Sequence, residues 1–317
     1  MKFYVKILVR MIKTRKKMKN IKLTLVTTAI LLSGQTFAEE VIEAVKVGND
    51  GAAIVHKDVT VQADGVAVSM DRKASAESVA KKLANPVAAM ISVPIQANYK
   101  PNMGKDDKGS QWLTNVQPVI PVVLNDDWNI ISRTIIPIIS NDSGIVGQDR
   151  VNGIGDIVQS AWLSPTTPTD SGWIWGAGAA ALIPTDVDGL SAKKWGVGPT
   201  GLALKQDGPW TYGGLFNHIW SFAGSDAVVN DVSTTFVQPF LTYITPHSVT
   251  FALNTETTYD WENEQWTVPV NFAVTKVMKI GKQVISVGGG LTYWAEAPEG
   301  GPEGLGVRLL LVLIFPK

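Results

Sequence analysis

The sequence predicts an all-β protein, a transmembrane antiparallel up-and-down β-barrel of about 12 strands preceded by a cleaved signal peptide and a short N-terminal periplasmic segment. Three observations predict this class. From residue 87 onward, runs of about 9 to 14 residues alternate apolar with small or polar side chains, which is the period of a strand. The connections between the runs are alternately long and short, and most of the 11 tryptophans flank them.

Residues 1–38 have the pattern of a secretory signal peptide. They carry nine Lys or Arg and no acidic residue, and the apolar stretch 23–34 is followed by small residues at Thr36 and Ala38. The stretch is shorter than the roughly 20 apolar residues of a spanning helix, so an N-terminal membrane anchor is the less favoured alternative. A more ordinary signal sequence begins at Met18, which leaves the start codon open between Met1 and Met18.

Residues 39–86 differ in composition from the C-terminal part of the chain, because they contain no Trp and many Ala, Val, Asp and Lys. A short helical pattern occupies 74–84 and ends before Pro86, since a residue that precedes proline is pushed out of the helical region. We interpret 39–86 as a periplasmic segment. No docking box or globular plug is recognisable in it, which argues against energy-coupled transport.

Residues 87–317 form the predicted barrel. The twelve predicted strands are 87–98, 114–124, 128–139, 152–163, 172–183, 195–205, 210–222, 233–244, 249–259, 265–277, 283–294 and 305–315. The long connections include 100–111, 140–150, 184–194 and 296–304, and the short ones are 125–127, 206–208, 245–247 and 279–282, with 164–171 the longest of this second set. Outer-membrane barrels alternate in this way, with short periplasmic turns and longer outer loops. Seven prolines inside these strands remove ladder donors, and we expect local bulges there.

The tryptophans predict two aromatic girdles, because amphipathic rings concentrate at membrane interfaces. Those beside the short turns are Trp128, Trp162, Trp173 and Trp210; those beside the long loops are Trp112, Trp195, Trp220, Trp261, Trp266 and Trp294. Only Trp175 lies inside a strand.

The alternation also predicts which side chains point into the lumen, since apolar residues of one parity face lipid and polar residues of the other face inward. The pore-lining candidates are Gln96, Arg133, Asp156, Asn254, Glu256, Asn271 and Arg308. Glu256 and Asp156 are the expected counter-charges of the two arginines.

Composition and charge exclude several classes of protein. There is no cysteine, so disulfide scaffolds and thiolate chemistry are excluded. After residue 38 the chain holds 28 acidic and 19 basic residues, which argues against a nucleic-acid partner. We expect no cofactor and no metal site, because His56, His218 and His247 are spaced unsuitably for one metal and the acidic pair in 184–189 lacks the rest of a calcium loop.

Two further motifs are candidates for chemistry. The stretch GAGAAA (176–181) matches a dinucleotide-binding pattern, but no helix follows it, so tightly packed strand residues are the favoured interpretation. Asn217, His218 and Ser221 are the best candidates for a barrel hydrolase. Asn217 and His218 are adjacent, however, and therefore point to opposite faces of a strand. We expect no enzyme.

Five stretches carry a resemblance to a known family: QPVIPVVLNDDWNIISRTIIPII (from Gln117), GIGDIVQSAWLSP (from Gly153), WGVGPTGLALKQDGPWTYGGLFNHIWS (from Trp195), LNTETTYDWENEQWTVPVN (from Leu253) and YWAEAPEGGPEG (from Tyr293). They resemble the outer-membrane transporter family related to the meta-pathway phenol-degradation channel proteins, over roughly residues 84–317. The resemblance implies a twelve-stranded barrel of Gram-negative bacteria that takes up small, often aromatic or apolar compounds. The family supplies no catalytic residues.

These observations favour a monomeric outer-membrane channel for passive uptake of small solutes. Its expected partners are outer-membrane lipid, a small-molecule solute and the barrel assembly machinery. A structural barrel with a plugged lumen is the main alternative, and an outer-membrane lipid hydrolase is the weaker one. An open lumen favours transport, and a lumen filled by side chains favours the structural role.

Overall fold

The structure, a computed structural model, describes residues 76–85, 90–104, 106–145, 147–224 and 231–315. The predicted signal peptide and most of segment 39–86 lie outside the described residues. In the described part, one helix, α1 (76–83), precedes the strands β1 (Ile91–Met103), β2 (Gly109–Val116), β3 (Val119–Val123), β4 (Trp128–Asp142), β5 (Val151–Ile154), β6 (Ile157–Pro165), β7 (Trp173–Ile183), β8 (Lys194–Asp207), β9 (Trp210–Gly224), β10 (Ser233–Ile244), β11 (Val249–Thr255), β12 (Thr257–Asp260), β13 (Gln265–Ile280), β14 (Gln283–Glu296) and β15 (Leu305–Phe315). None of the described residues belongs to a helix with the length and hydropathy needed to cross a membrane.

The strands close into an antiparallel barrel with twelve strand positions around its wall, here called staves. The pairs β2/β3, β5/β6 and β11/β12 are each one stave with an interruption, because both members of a pair bond to the same neighbour. The last strand pairs with the first, from Ile91↔Phe315 to Tyr99↔Val307, and this pairing closes the sheet. The predicted fold class, a twelve-stranded up-and-down barrel, is confirmed. Closure leaves no open sheet edge, which is the condition for β-structure in lipid.

Each interrupted stave carries a polar side chain at its break. Gln117 lies between β2 and β3, Asp156 between β5 and β6, and Glu256 between β11 and β12. Proline accounts for part of the irregularity, because Pro118 lies in the first break and the β13–β14 register shifts next to Pro269. The other prolines in the predicted strands do not all need a bulge. Pro239, for example, keeps its register opposite Gly214.

The outer surface of the barrel is apolar and alternates with inward-facing residues. In β15, Val307 and Leu309 are about 40% exposed while Arg308 between them is 5% exposed. In β13, Val270 and Phe272 are exposed and Asn271 is buried. This alternation produces an apolar belt around a polar lumen, as lipid requires.

Helix α1 lies against the inner wall of the barrel at the end where the connections are shortest, here called the short-turn end. Ala80 is 2% exposed and packs with Ile244 and Val277 at the ends of β10 and β13. The Gln206 side chain donates a hydrogen bond from Nε2 to the Lys81 carbonyl oxygen at 2.8 Å. The sequence predicts the helix but not this position, because the segment shows no recognisable plug.

The opposite end, here called the long-loop end, is less uniform than predicted. Connections 143–150, 184–193 and 297–304 are long, but the β1–β2 connection shrinks to 104–108 because both strands extend beyond their predicted limits. This extension moves Lys100 from a predicted loop into the barrel wall. The stretch 176–181 lies inside strand β7, so it is not a dinucleotide-binding loop.

Candidate functional site in the barrel lumen

An ion pair crosses the lumen between strand β15 and the β11/β12 break. The Arg308 guanidinium donates from Nη1 and Nη2 to the two carboxylate oxygens of Glu256, at 2.8 and 2.9 Å. Arg308 Nε donates to Asn98 Oδ1 at 2.8 Å, and Gln96 Nε2 approaches the same oxygen at 3.3 Å. A bidentate ion pair, in which two parallel N–H groups of a guanidinium bond to the two oxygens of a carboxylate, is strong and fixes the orientation of both side chains. The structure therefore holds Arg308 in place from two staves at once.

A second arginine faces the lumen without a carboxylate partner. Arg133 Nη2 donates to Gln117 Oε1 at 2.5 Å, across the break between β2 and β3. Among the described residues, no carboxylate lies within ion-pair distance of Arg133. Glu256 still acts on Arg133 electrostatically, as the sequence-based expectation has it, but its two oxygens are bound by Arg308 and it makes no direct contact with Arg133.

Asparagines and a threonine form a buried network on the neighbouring wall. Asn271 donates from Nδ2 to Asn254 Oδ1 at 2.8 Å and accepts at its own Oδ1 from the Thr292 hydroxyl at 2.7 Å. Asn271 is 2% exposed and Thr292 is 3% exposed. A buried network in which each polar group has a partner is rigid.

Asp156 does not join the lumen cluster. Its two carboxylate oxygens accept hydrogen bonds from the backbone N–H groups of Thr185, at 3.1 Å, and Ala192, at 2.7 Å. These bonds hold the 184–193 loop, in which Lys193 donates to Asp188 at 2.5 Å and keeps the pKa of that carboxyl below its ordinary value. The prediction that Asp156 is a counter-charge in the pore is wrong, because the β5/β6 break turns it toward this loop.

Two further residues of the lumen are absent from the sequence-based candidates. Lys100 lies on the inward parity of β1, two residues beyond Asn98, and interacts electrostatically with Glu256 and Arg308. Gln117 positions Arg133. Parity would have found Lys100 if the first strand had been extended past residue 98; nothing in the sequence pairs Gln117 with Arg133. Together Lys100, Arg133 and Arg308 oppose the single carboxylate Glu256, so the cluster is net positive.

The polar side chains that face the lumen, Gln117, Arg133, Asn254, Glu256 and Arg308, are here called the polar layer. A cavity of about 310 Å³ lies inside the barrel, bounded by helix α1 and by part of this layer. The polar residues at its wall include Arg133, Gln117 and Asn254. Its apolar side chains include Leu83 of the helix segment and those of Leu215, Phe240, Leu310 and Val312 from the staves. A pocket of this size and mixed lining is of the kind that holds small organic ligands. A second cavity, of about 600 Å³, opens among the loops at the long-loop end.

The tryptophans divide into outer and inner sets. Trp112, Trp173, Trp195, Trp210, Trp220 and Trp266 are 38% to 50% exposed on the outer surface, and Trp128 is half-buried. Trp162 and Trp294, by contrast, are 1% and 8% exposed. Their assignment to the girdles is wrong, because both share the inward parity of their strands with the buried residues Ser160 and Thr292. The position of each Trp in the alternation of its strand predicts this inward orientation, whereas its proximity to a turn does not.

Trp162 belongs to the packed wall of the lumen instead. Its Nε1 donates to the Thr200 hydroxyl at 3.1 Å, and its ring packs with Ile131, Leu202 and Leu204. Trp294 packs over Gly306, where a Cβ would lie 2.6 Å from the indole ring. These two rings stabilise the barrel from inside.

Trp162→Ala is therefore expected to lower the free energy of unfolding by about 3 to 5 kcal/mol, the range for removing a buried large aromatic side chain. The matched control is Trp175→Ala, because Trp175 is 37% exposed on the outer face of the adjacent strand. Urea titration of the protein in phospholipid vesicles, followed by heat-modifiable migration, measures both. Equal losses for the two variants would contradict the inward placement.

The candidate hydrolase residues are not assembled. His218 lies on the outer face beside Trp220 and bonds through Nδ1 to the Thr235 hydroxyl at 2.7 Å. Ser221 donates to Asp231 instead. No group of described residues has the composition of a metal site. Asn217, His218 and Ser221 are therefore not arranged so that one of them can act as a base for another as nucleophile.

No protein-family model and no curated protein matches this sequence. Solved structures do match in shape. The COG4313 outer membrane channel from Pseudomonas putida F1 aligns with a TM-score of 0.56 at 16% identity, over 72% of this chain and 96% of that one. The NanC porin aligns with a TM-score of 0.46 at 10% identity, over 70% and 99%, and the outer membrane phospholipase A from Escherichia coli with 0.42 at 8%, over 71% and 96%. At 16% identity the first likeness shows a shared fold.

Proposed function

We propose that this protein is an outer-membrane channel of a Gram-negative bacterium that lets small solutes enter passively through the lumen of a monomeric barrel. The apolar outer belt, the closed sheet and the girdle of exposed tryptophans support the membrane location. In this proposal the short-turn end faces the periplasm and the long loops face outward. The barrel assembly machinery inserts the chain.

The observation that carries the transport role is the cavity inside the barrel. A lumen filled throughout by packed side chains, as in the smallest barrels, leaves no room for a ligand. Here polar side chains that include Arg133 and an apolar wall around Phe240 line about 310 Å³ of space. The apolar part of the wall supports apolar or aromatic compounds as the preferred solutes, which the resemblance to the meta-pathway phenol-degradation channel family also implies.

A structural barrel with a plugged lumen is the second candidate, and helix α1 favours it. The helix packs through Ala80 and bonds to Gln206 at the short-turn end. If the helix is permanent, it obstructs passage at that end. The two candidates differ in whether ions cross the barrel, so conductance separates them.

The test is single-channel recording of the full mature chain in a planar bilayer with a salt gradient. The parent protein is expected to conduct with a preference for anions, because Lys100, Arg133 and Arg308 outnumber Glu256 in the lumen. Arg133→Ala and Arg308→Ala are each expected to shift the reversal potential toward cations, and Glu256→Gln in the opposite direction.

Arg150→Ala is the matched control, because Arg150 is an exposed loop residue that pairs with Asp142 at 2.8 Å outside the lumen cluster. It is expected to change the reversal potential less than either lumen arginine, since exposed charges are screened by salt. Absence of conductance in the folded parent, or no change of selectivity in all three lumen variants, would favour the structural barrel.

A further inference from the structure

The surface of the lumen cavity is mostly apolar, and polar side chains line it at several positions. Leu215, Phe240 and Val312 contribute apolar surface, and two cations line the cavity: Arg133 from the barrel wall, and Lys82 of helix α1, which is exposed to water. Leu215 is 4% exposed and belongs to the packed cluster around Trp162, against which Phe240 also packs. The apolar part of the wall is therefore firm, and a ligand that fills the cavity must be apolar along most of its length.

Arg133 offers unused hydrogen-bond donors at this cavity. A guanidinium has five N–H donors, and Arg133 makes one side-chain hydrogen bond to a described residue, to the Gln117 side chain. Gln117 is neutral, so it orients the guanidinium without cancelling its charge. Glu256 attracts Arg133 electrostatically but has both oxygens on Arg308, so the free N–H donors of Arg133 make no hydrogen bond to a carboxylate, and an anionic ligand in the cavity would supply one.

The other charges of the cluster cannot take this role as readily. Both carboxylate oxygens of Glu256 already accept hydrogen bonds from Arg308, and Arg308 Nε donates to Asn98. Arg308 is 5% exposed and does not line the cavity, whereas Arg133 does. The planar fork of a guanidinium matches a carboxylate with two parallel hydrogen bonds.

We infer that the cavity binds an apolar monocarboxylate, with its carboxylate on Arg133 and its apolar body against Leu215, Phe240 and Val312. This inference rests on the proposed function, because it names the class of solute that the lumen selects. The ligand needs both parts. A neutral apolar molecule leaves Arg133 without an anion, and a small carboxylate leaves the apolar wall in contact with water.

The test is isothermal titration calorimetry on the full mature chain in phosphatidylcholine nanodiscs, with empty nanodiscs subtracted. The probes are octanoate, 1-octanol with the same body and no charge, and acetate with the same head and no body. Octanoate is expected to bind more tightly than either. Arg133→Gln is expected to weaken octanoate binding at least about tenfold, the loss typical of a charge-assisted hydrogen bond, and to leave octanol unchanged.

Arg150→Gln is the matched control and is expected to bind octanoate as the parent does. If Arg133→Gln fails to fold, Arg133→Lys takes its place, because lysine keeps the positive charge but cannot form the two parallel hydrogen bonds of a guanidinium. Weaker octanoate binding by this variant supports the site, and unchanged binding overturns it. Octanol binding as tightly as octanoate also overturns it. Octanoate binding by a protein that does not conduct leaves the site standing and overturns the channel, whereas conductance without octanoate binding overturns the site alone.

Discussion

Deleting residues 76–85 is expected to raise the single-channel conductance severalfold, because helix α1 occupies the short-turn end of the lumen. The helix is held by the packing of Ala80 against Ile244 and Val277 and by the hydrogen bond from Gln206 to the Lys81 carbonyl. None of these contacts is part of the sheet ladder, so the barrel keeps its pairing without them. The measurement is single-channel conductance at fixed salt concentration, with heat-modifiable migration as the check on folding.

A point variant separates loss of the helix from loss of chain length. Ala80→Glu places a carboxylate against the apolar wall, where it lacks solvation, and is expected to displace the helix and raise conductance. Ser78→Glu adds the same side chain at an exposed position of the same helix and is expected to leave conductance near the parent value. Unchanged conductance in a folded deletion variant would show that the polar layer, and not the helix, limits the current.

The twelve staves and the inward orientation of several polar residues could be predicted from the sequence, because a strand assigns its two faces by parity alone. Asn271 and Arg308 are each buried between exposed apolar neighbours, as their parity requires. The same rule applied to Trp162 and Trp294 would have placed both rings inside. Their proximity to connections gave the opposite and wrong answer.

The contacts within the lumen could not be predicted in this way. Arg308 is 52 residues from Glu256 and 210 from Asn98, so only the closure of the barrel brings them together. At the β5/β6 break parity fails, because Ile154 is exposed whereas Ser160, at the same parity, is buried; Glu256, at the β11/β12 break, still faces the lumen as its parity predicts. The position of helix α1 likewise depends on the shape of the inner wall, which no local pattern encodes.

Arg308→Ala is expected to be the most destabilising substitution among the charged residues of the lumen, lowering the free energy of unfolding by about 3 to 5 kcal/mol. It removes the bidentate partner of Glu256 and leaves that carboxylate facing the barrel interior, while Asn98 Oδ1 loses one of its two donors and keeps only the Gln96 side chain. Arg308 is 5% exposed, so water replaces these bonds poorly. Urea unfolding in phospholipid vesicles at neutral pH gives the difference from the parent.

The double variant Arg308→Met, Glu256→Leu distinguishes the cost of an unpaired charge from the worth of the pair. If the loss in Arg308→Ala comes from the stranded carboxylate, the apolar pair is expected to recover most of the lost stability, since a buried ion pair is commonly matched by apolar residues of similar volume. Glu256→Leu alone is expected to be destabilising, because it strands Arg308 in turn. A double variant as unstable as the sum of the two single variants would contradict this explanation, because additive losses show that Arg308 and Glu256 stabilise the barrel independently, through contacts other than their ion pair.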